Sequence, residues 1–195
     1  MRWPPHSQSL KLVEVEFEVE RVTNTPPSGT SASSATATVS VAIGQWAVAA
    51  APVKIRTLLG SCVGVVLYDR VARVGGLAHI VLPSSRGTAD HPGKFADTAV
   101  PAMIVEIERH LKAVARGRLV AKLLGGASMF PTSGPSNPAL NIGQKNQEAV
   151  EQILGELRIP IVGRDLGGDC GRHLTLDTTS GIVAIKVPGG ADYEL

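Results

Sequence analysis

Apolar residues recur with two different periods along most of this chain, and the two periods predict different elements. Val63 to Tyr68 and Gly76 to Leu82 are continuous apolar runs rich in branched residues, separated by the polar stretch Asp69-Arg70-Val71-Ala72-Arg73. Short apolar runs bounded by polar residues predict two buried strands, paired as a hairpin. Further on, Val100, Met103, Ile104, Ile107, Leu111 and Val114 fall on one face of a helix that starts near Asp97, which can cap it, and runs to about Ala115. Leu119 to Leu124 predicts a short strand ending at Gly125-Gly126. Ile142 to about Leu157 predicts a second helix, with Val150, Ile153, Leu154 and Leu157 inward. Ile159 to Val162 predicts a strand. His173 to Asp177 and Ile182 to Val187 bracket Thr178-Thr179-Ser180-Gly181, a hairpin signal. The sum is a mixed α/β (α+β) domain with flanking helices and no internal repeat.

The first 38 residues have a different character. Val13 to Glu20 alternates strictly between apolar and acidic residues, the period of a half-exposed strand. Thr23 to Thr38 contains only Thr, Ser, Pro, Ala, Gly and Asn and reads as a flexible linker. Residues 1–38 are therefore expected to be an N-terminal extension, with the compact domain covering 39–195.

Bulk properties narrow the function. The 195-residue chain is long enough for one full core. Its 19 basic and 17 acidic side chains give a net charge of +2 with no basic cluster, and aromatics make up 4%, so nothing suggests a nucleic-acid surface. It has no apolar run long enough to span a membrane and no signal-peptide pattern, so a cytoplasmic protein is expected. Two cysteines in such a chain read as reduced thiols, although a Cys62–Cys170 bond stays open.

Cys62 carries the candidate chemistry. It lies in Gly60-Ser61-Cys62-Val63-Gly64, and His79 follows 17 positions later. A thiol, an imidazole and an upstream hydroxyl on Thr57 supply a nucleophile, a base and a group to orient the base. Each of the first two, alone in an apolar strand, is commonly a core residue; their joint occurrence among glycines is what favours chemistry. The Gly-x-Cys-x-Gly form suggests a nucleophile elbow, but an elbow needs a helix directly after the nucleophile and a histidine far downstream. Here a strand follows and the histidine is near. Pairing 63–68 antiparallel with 76–82 brings Cys62 and His79 within about two residues of cross-strand neighbours, roughly 7–8 Å apart at Cα. Whether they share a face depends on register. No histidine has metal-ligand spacing, and no cofactor is expected. Asn141 and Asn146 read as caps of the second helix. Gly125-Gly126 and Gly167-Gly168 read as turns, with lining of the cleft as the alternative, and Arg172 as the partner of a surface acid ahead of a carboxylate-binding role.

Several motifs in order resemble one family. They are Thr57-Leu58-Leu59-Gly60-Ser61-Cys62-Val63, Ala78-His79-Ile80-Val81-Leu82-Pro83, Lys94 to Ala99, Gly125-Gly126-Ala127-Ser128-Met129-Phe130, Asn141-Ile142-Gly143-Gln144-Lys145-Asn146, and Asp165-Leu166-Gly167-Gly168 with Gly171-Arg172. Together with Ile43 to Val48 they resemble CheD, the chemoreceptor glutamine deamidases, from about Val39 to Val187. The resemblance implies a fold related to the cysteine-hydrolase domain of cytotoxic necrotizing factors. It implies Cys62 as nucleophile, His79 as base and Thr57 as the orienting hydroxyl. Backbone N–H groups of the Gly60-Ser61 turn beside Cys62 would stabilise an oxyanion. The implied substrates are glutamines of methyl-accepting chemotaxis receptors, converted to glutamate with release of ammonia through a cysteine thioester. The alternative is a non-catalytic partner of a CheC-type phosphatase.

Overall fold

A computed structural model describes residues 36–87, 91–128 and 142–195. The Val13–Glu20 strand, most of the linker, and Asn141 lie outside the described residues. Among the described residues, ten strands form two five-stranded sheets, accompanied by two α-helices and a short 3-10 helix at Pro92–Lys94. The first sheet has the order β1 (Ala37–Ser40), β3 (Val53–Leu59), β8 (Arg172–Asp177), β9 (Val183–Lys186), β10 (Tyr193–Glu194). The second has the order β2 (Trp46–Ala50), β5 (Val74–Ile80), β4 (Val63–Asp69), β6 (Leu119–Gly125), β7 (Ile161–Leu166). Helices α1 (Ala96–Leu111) and α2 (Ile142–Glu156) cover one face of the second sheet.

The predicted hairpin forms as β4 and β5, antiparallel and buried along their whole length. Their continuous apolar runs have a packing cause: both faces are covered, so neither needs polar residues. Val63, Val65, Leu67, Ala78 and Ile80 face the helices. Val66 and Leu77 face the first sheet, where they meet Ile55, Leu59, Leu174 and Leu176. β3 has a polar outer face, so it alternates, with Ile55, Thr57 and Leu59 inward and Lys54, Arg56 and Leu58 outward. β6 and β7 run parallel, and parallel neighbours need a crossover, here α2.

Three expectations are corrected. Asp97 does not cap α1: Phe95 occupies the cap position, and the Asp97 carboxylate instead accepts from the Ser85 N–H and the Ser84 and Ser85 hydroxyls. The helix stops at Leu111 because Lys112 turns left-handed, leaving Val114 69% exposed. The strand expected from Ile159 begins at Ile161 and continues to Leu166.

Candidate active site

Thr57, Cys62 and His79 converge at one end of the two sheets. Gly64 is the direct partner of His79 in the β4–β5 ladder, and Val63 is the partner of Ile80. Cys62, in the bend just before β4 and two residues ahead of Gly64, is thus diagonal to His79. Cys62 packs against the core between the sheets, which His79 also faces as the alternate neighbour of Leu77. Both residues therefore border the core between the sheets. Both cysteines are free, so no Cys62–Cys170 bond forms. Cys62 leads into β4 and not into a helix, so the elbow geometry is not realised.

Thr57 reaches His79 across the space between the sheets. Its inward position on β3, between Ile55 and Leu59, sets its hydroxyl oxygen 2.9 Å from His79 Nδ1. The hydroxyl is also 2.8 Å from the Val41 carbonyl oxygen and donates to it. A hydroxyl has one proton to give. With that proton on Val41, Thr57 can only accept from His79, so Nδ1 carries the imidazole hydrogen and Nε2 is left with its lone pair. Thr57 and His79 are 7% and 3% exposed, so water does not compete for these bonds.

Burial sets the charge state. Desolvation lowers the pKa of His79 and raises that of Cys62. Both shifts favour neutral forms, an uncharged imidazole beside an undissociated thiol.

The turn Gly60-Ser61-Cys62 is held from behind by the segment after β6. Gly126 N–H donates to Cys62 O at 2.8 Å and Ala127 N–H to Gly60 O at 2.9 Å. Gly125 has φ +93°, and a Cβ there would lie 2.4 Å from Cys62 O, so only glycine fits. The 167–172 loop braces this clamp in turn: Gly167 N–H donates to Gly125 O and Ser128 N–H to Gly168 O, both at 2.8 Å. With both turn carbonyls engaged, the N–H groups of Ser61 and Cys62 make no hydrogen bond among the described residues.

Two further residues differ from the sequence reading. Arg172 is buried, and its guanidinium contacts the Asp165 carboxylate at 2.8 Å and the Asp165 and Gly167 carbonyls. It pairs with an acid as expected, but inside the structure, where it fixes the 165–167 backbone. Asn146 does not flank α2 as a cap; it is fully buried inside the helix and donates to the Val81 carbonyl at 2.9 Å. Val41 was not legible in the sequence, because its contribution is a backbone carbonyl. The glycine pair 125–126 was visible as a turn, but its role against Cys62 was not.

Fold and site together define a mixed α/β domain with a thiol, an imidazole and a hydroxyl gathered at one end of two packed sheets. Residues 81–187 match the family model described as CheD chemotactic sensory transduction. Curated relatives named "Probable chemoreceptor glutamine deamidase CheD" include one from Desulforamulus reducens, 50% identical over 151 residues, covering 75% of this chain and 89% of that protein. Another, from Moorella thermoacetica, is 46% identical over 150 residues, with the same coverage of 75% and 89%. A third, from Methanococcus maripaludis, is 44% identical over 146 residues, covering 74% of this chain and 91% of that protein. The chain belongs to the CheD family. Among the described residues, no helix is long and apolar enough to cross a membrane.

Proposed function

We propose that this chain is a cytoplasmic protein-glutamine deamidase acting on chemoreceptors, with Cys62 as nucleophile, His79 as base and Thr57 as the group that orients it. The observation that carries this reading is the chain of hydrogen bonds from His79 Nδ1–H to Thr57 and from Thr57 to Val41. It supports an imidazole held in one tautomer, with its basic nitrogen free for the thiol. The names of the curated relatives supply the substrate class.

The residues support a two-stage reaction. His79 Nε2 takes the Cys62 proton as the sulfur attacks the carboxamide carbon of a glutamine side chain. Because burial disfavours a standing thiolate–imidazolium pair, proton transfer accompanies the attack. The N–H groups of Ser61 and Cys62, in the turn that begins at Gly60, are the donors for the oxyanion. The imidazolium returns its proton to the departing nitrogen, which leaves as ammonia and forms a thioester. Water then gives a proton to His79 and adds to the thioester carbon. Collapse expels the Cys62 sulfur, which recovers its proton, and the product is glutamate. A protein that served only as a binding partner of a CheC-type phosphatase would gain nothing from a buried base held in one tautomer.

The test is mass spectrometry of a chemoreceptor co-expressed with this chain. The wild type is expected to produce the roughly one-dalton gain of deamidation at glutamine, and Cys62→Ala is expected to abolish it. Equal gains with both proteins would remove Cys62 from the mechanism.

A further inference from the structure

We propose that Asn146 is a positioning residue for the reaction at Cys62 and His79, an inference that rests on the deamidase reading. Asn146 belongs to the inward stripe of α2 formed by Gly143, Asn146, Val150 and Leu154. Its Nδ2 donates to Val81 O, but among the described residues its buried Oδ1 has no hydrogen-bond partner. Among the described residues, Asp69 Oδ2 is the only other buried side-chain oxygen without one, and Arg118 stands 2.8 Å from it as an ion-pair partner. A leucine there would spare the unpaired Oδ1 but leave the Val81 carbonyl without its donor. The asparagine in this apolar stripe is therefore accounted for by the carbonyl it reaches.

Val81 follows His79 by two residues and continues the β4–β5 register to the level of Cys62, because Val63 pairs with Ile80. The Val81 N–H is held by Lys94 O at 3.0 Å, and the Val81 carbonyl is held by Asn146, so both backbone polar groups of this residue are fixed where β5 leaves the sheet. Three residues earlier on the same helix, Gly143 lies against Gly126, where a Cβ would come within 2.8 Å of the Gly126 carbonyl oxygen. Gly126 is the residue whose N–H holds Cys62 O. Positions three apart share one helix face. One turn of α2 thus touches the nucleophile's turn through Gly143 and the end of the imidazole's strand through Asn146. The helix fixes the spacing between two groups that come from separate segments, and reactions of this kind lose about a hundredfold for a misplacement of about 1 Å.

The test is Asn146→Leu, which removes the bond to Val81 and keeps the branched shape. We expect a lower melting temperature from the lost bond and the added bulk, with the kinetics read on the folded protein. On a receptor fragment, kcat is expected to fall about tenfold or more, with KM nearly unchanged. The pH profile of Cys62 alkylation by iodoacetamide is expected to lose its His79-dependent limb and become that of an isolated thiol. Asn146→Ala, which cannot overfill the stripe, is read in the same way and decides the matter if the leucine variant does not fold. Wild-type kcat and an unchanged alkylation profile in the folded variant would overturn the proposal, as would activity lost only in proportion to the folded fraction. A wild-type chain that deamidates nothing would refute the deamidase reading, and the alkylation profile would still decide the role of Asn146.

Discussion

The Thr57 hydroxyl lies 2.9 Å from His79 Nδ1 and spends its only proton on Val41 O, so the pair can bond only with the hydrogen on the imidazole. This relationship is made between two sheets. Thr57→Val removes the acceptor while nearly preserving shape. The Nδ1–H would then be buried without a partner, costing about 1–3 kcal/mol of stability. We expect kcat to fall on the order of a hundredfold, near the lower end of what a positioned base contributes, with little change in KM. Thr57→Ser keeps the hydroxyl and should retain most of the activity. Steady-state kinetics on a receptor fragment and a urea melt check both.

Burial lowers the pKa of His79, and the consequence for stability has a definite sign. The unfolded chain takes up a proton near about pH 6.5, whereas the folded chain resists it to lower pH. Above about 6.5 both states are neutral at this residue and stability is independent of the group. As pH falls below that value the unfolded state binds more protons, so stability declines until the folded pKa is reached, and then levels. His79→Gln should remove this acid-side decline from urea melts taken across pH 4–7. In the wild type, the acid limb of kcat/KM should lie below about 6.5, because the free base survives there.

Gly125→Ala would set a Cβ 2.4 Å from Cys62 O at a residue with φ +93°. Left-handed strain alone costs about 1–3 kcal/mol, and the collision must move the turn that carries the nucleophile. We expect a lower melting temperature and a loss of Cys62 alkylation selectivity that exceeds the loss of folded protein. Gly117→Ala also sits at positive φ, +81°, but nothing lies within 4 Å of its Cβ. It serves as the control, with a stability cost and normal activity.

Arg172→Leu removes the cation from the Asp165 carboxylate in a mostly enclosed setting and leaves it, among the described residues, only the Tyr193 hydroxyl. Removing one member of a buried pair costs about 3–5 kcal/mol. Arg172→Lys should recover only part of this, because a single ammonium cannot serve the Asp165 carboxylate, the Asp165 carbonyl and the Gly167 carbonyl together. Urea denaturation of the three proteins measures the difference.

Local elements and reactive groups were legible from side-chain types and their spacing. The continuous apolar runs of β4 and β5 marked strands covered on both faces, and their separation predicted the hairpin that sets Cys62 diagonal to His79. The spacing of Val100, Met103 and Ile107 marked α1. Sequence spacing failed where side chains compete for distant partners. Asp97 has the chemistry of a cap, yet Ser84 and Ser85 claim its carboxylate. Asn146 has the same chemistry, yet Val81 claims its amide. How the site is held emerges only when the sheets and α2 pack together. The acceptor for Thr57 is a carbonyl of Val41, and any residue there would offer the same atom, so no side chain could announce it. The clamp behind Cys62 is likewise made by peptide groups of Gly126 and Ala127, and by a glycine at 125 whose missing Cβ matters only once Cys62 O is beside it. Side-chain types and their periods are written in the sequence, while the backbone groups that orient the site acquire partners only when the two sheets and α2 are packed.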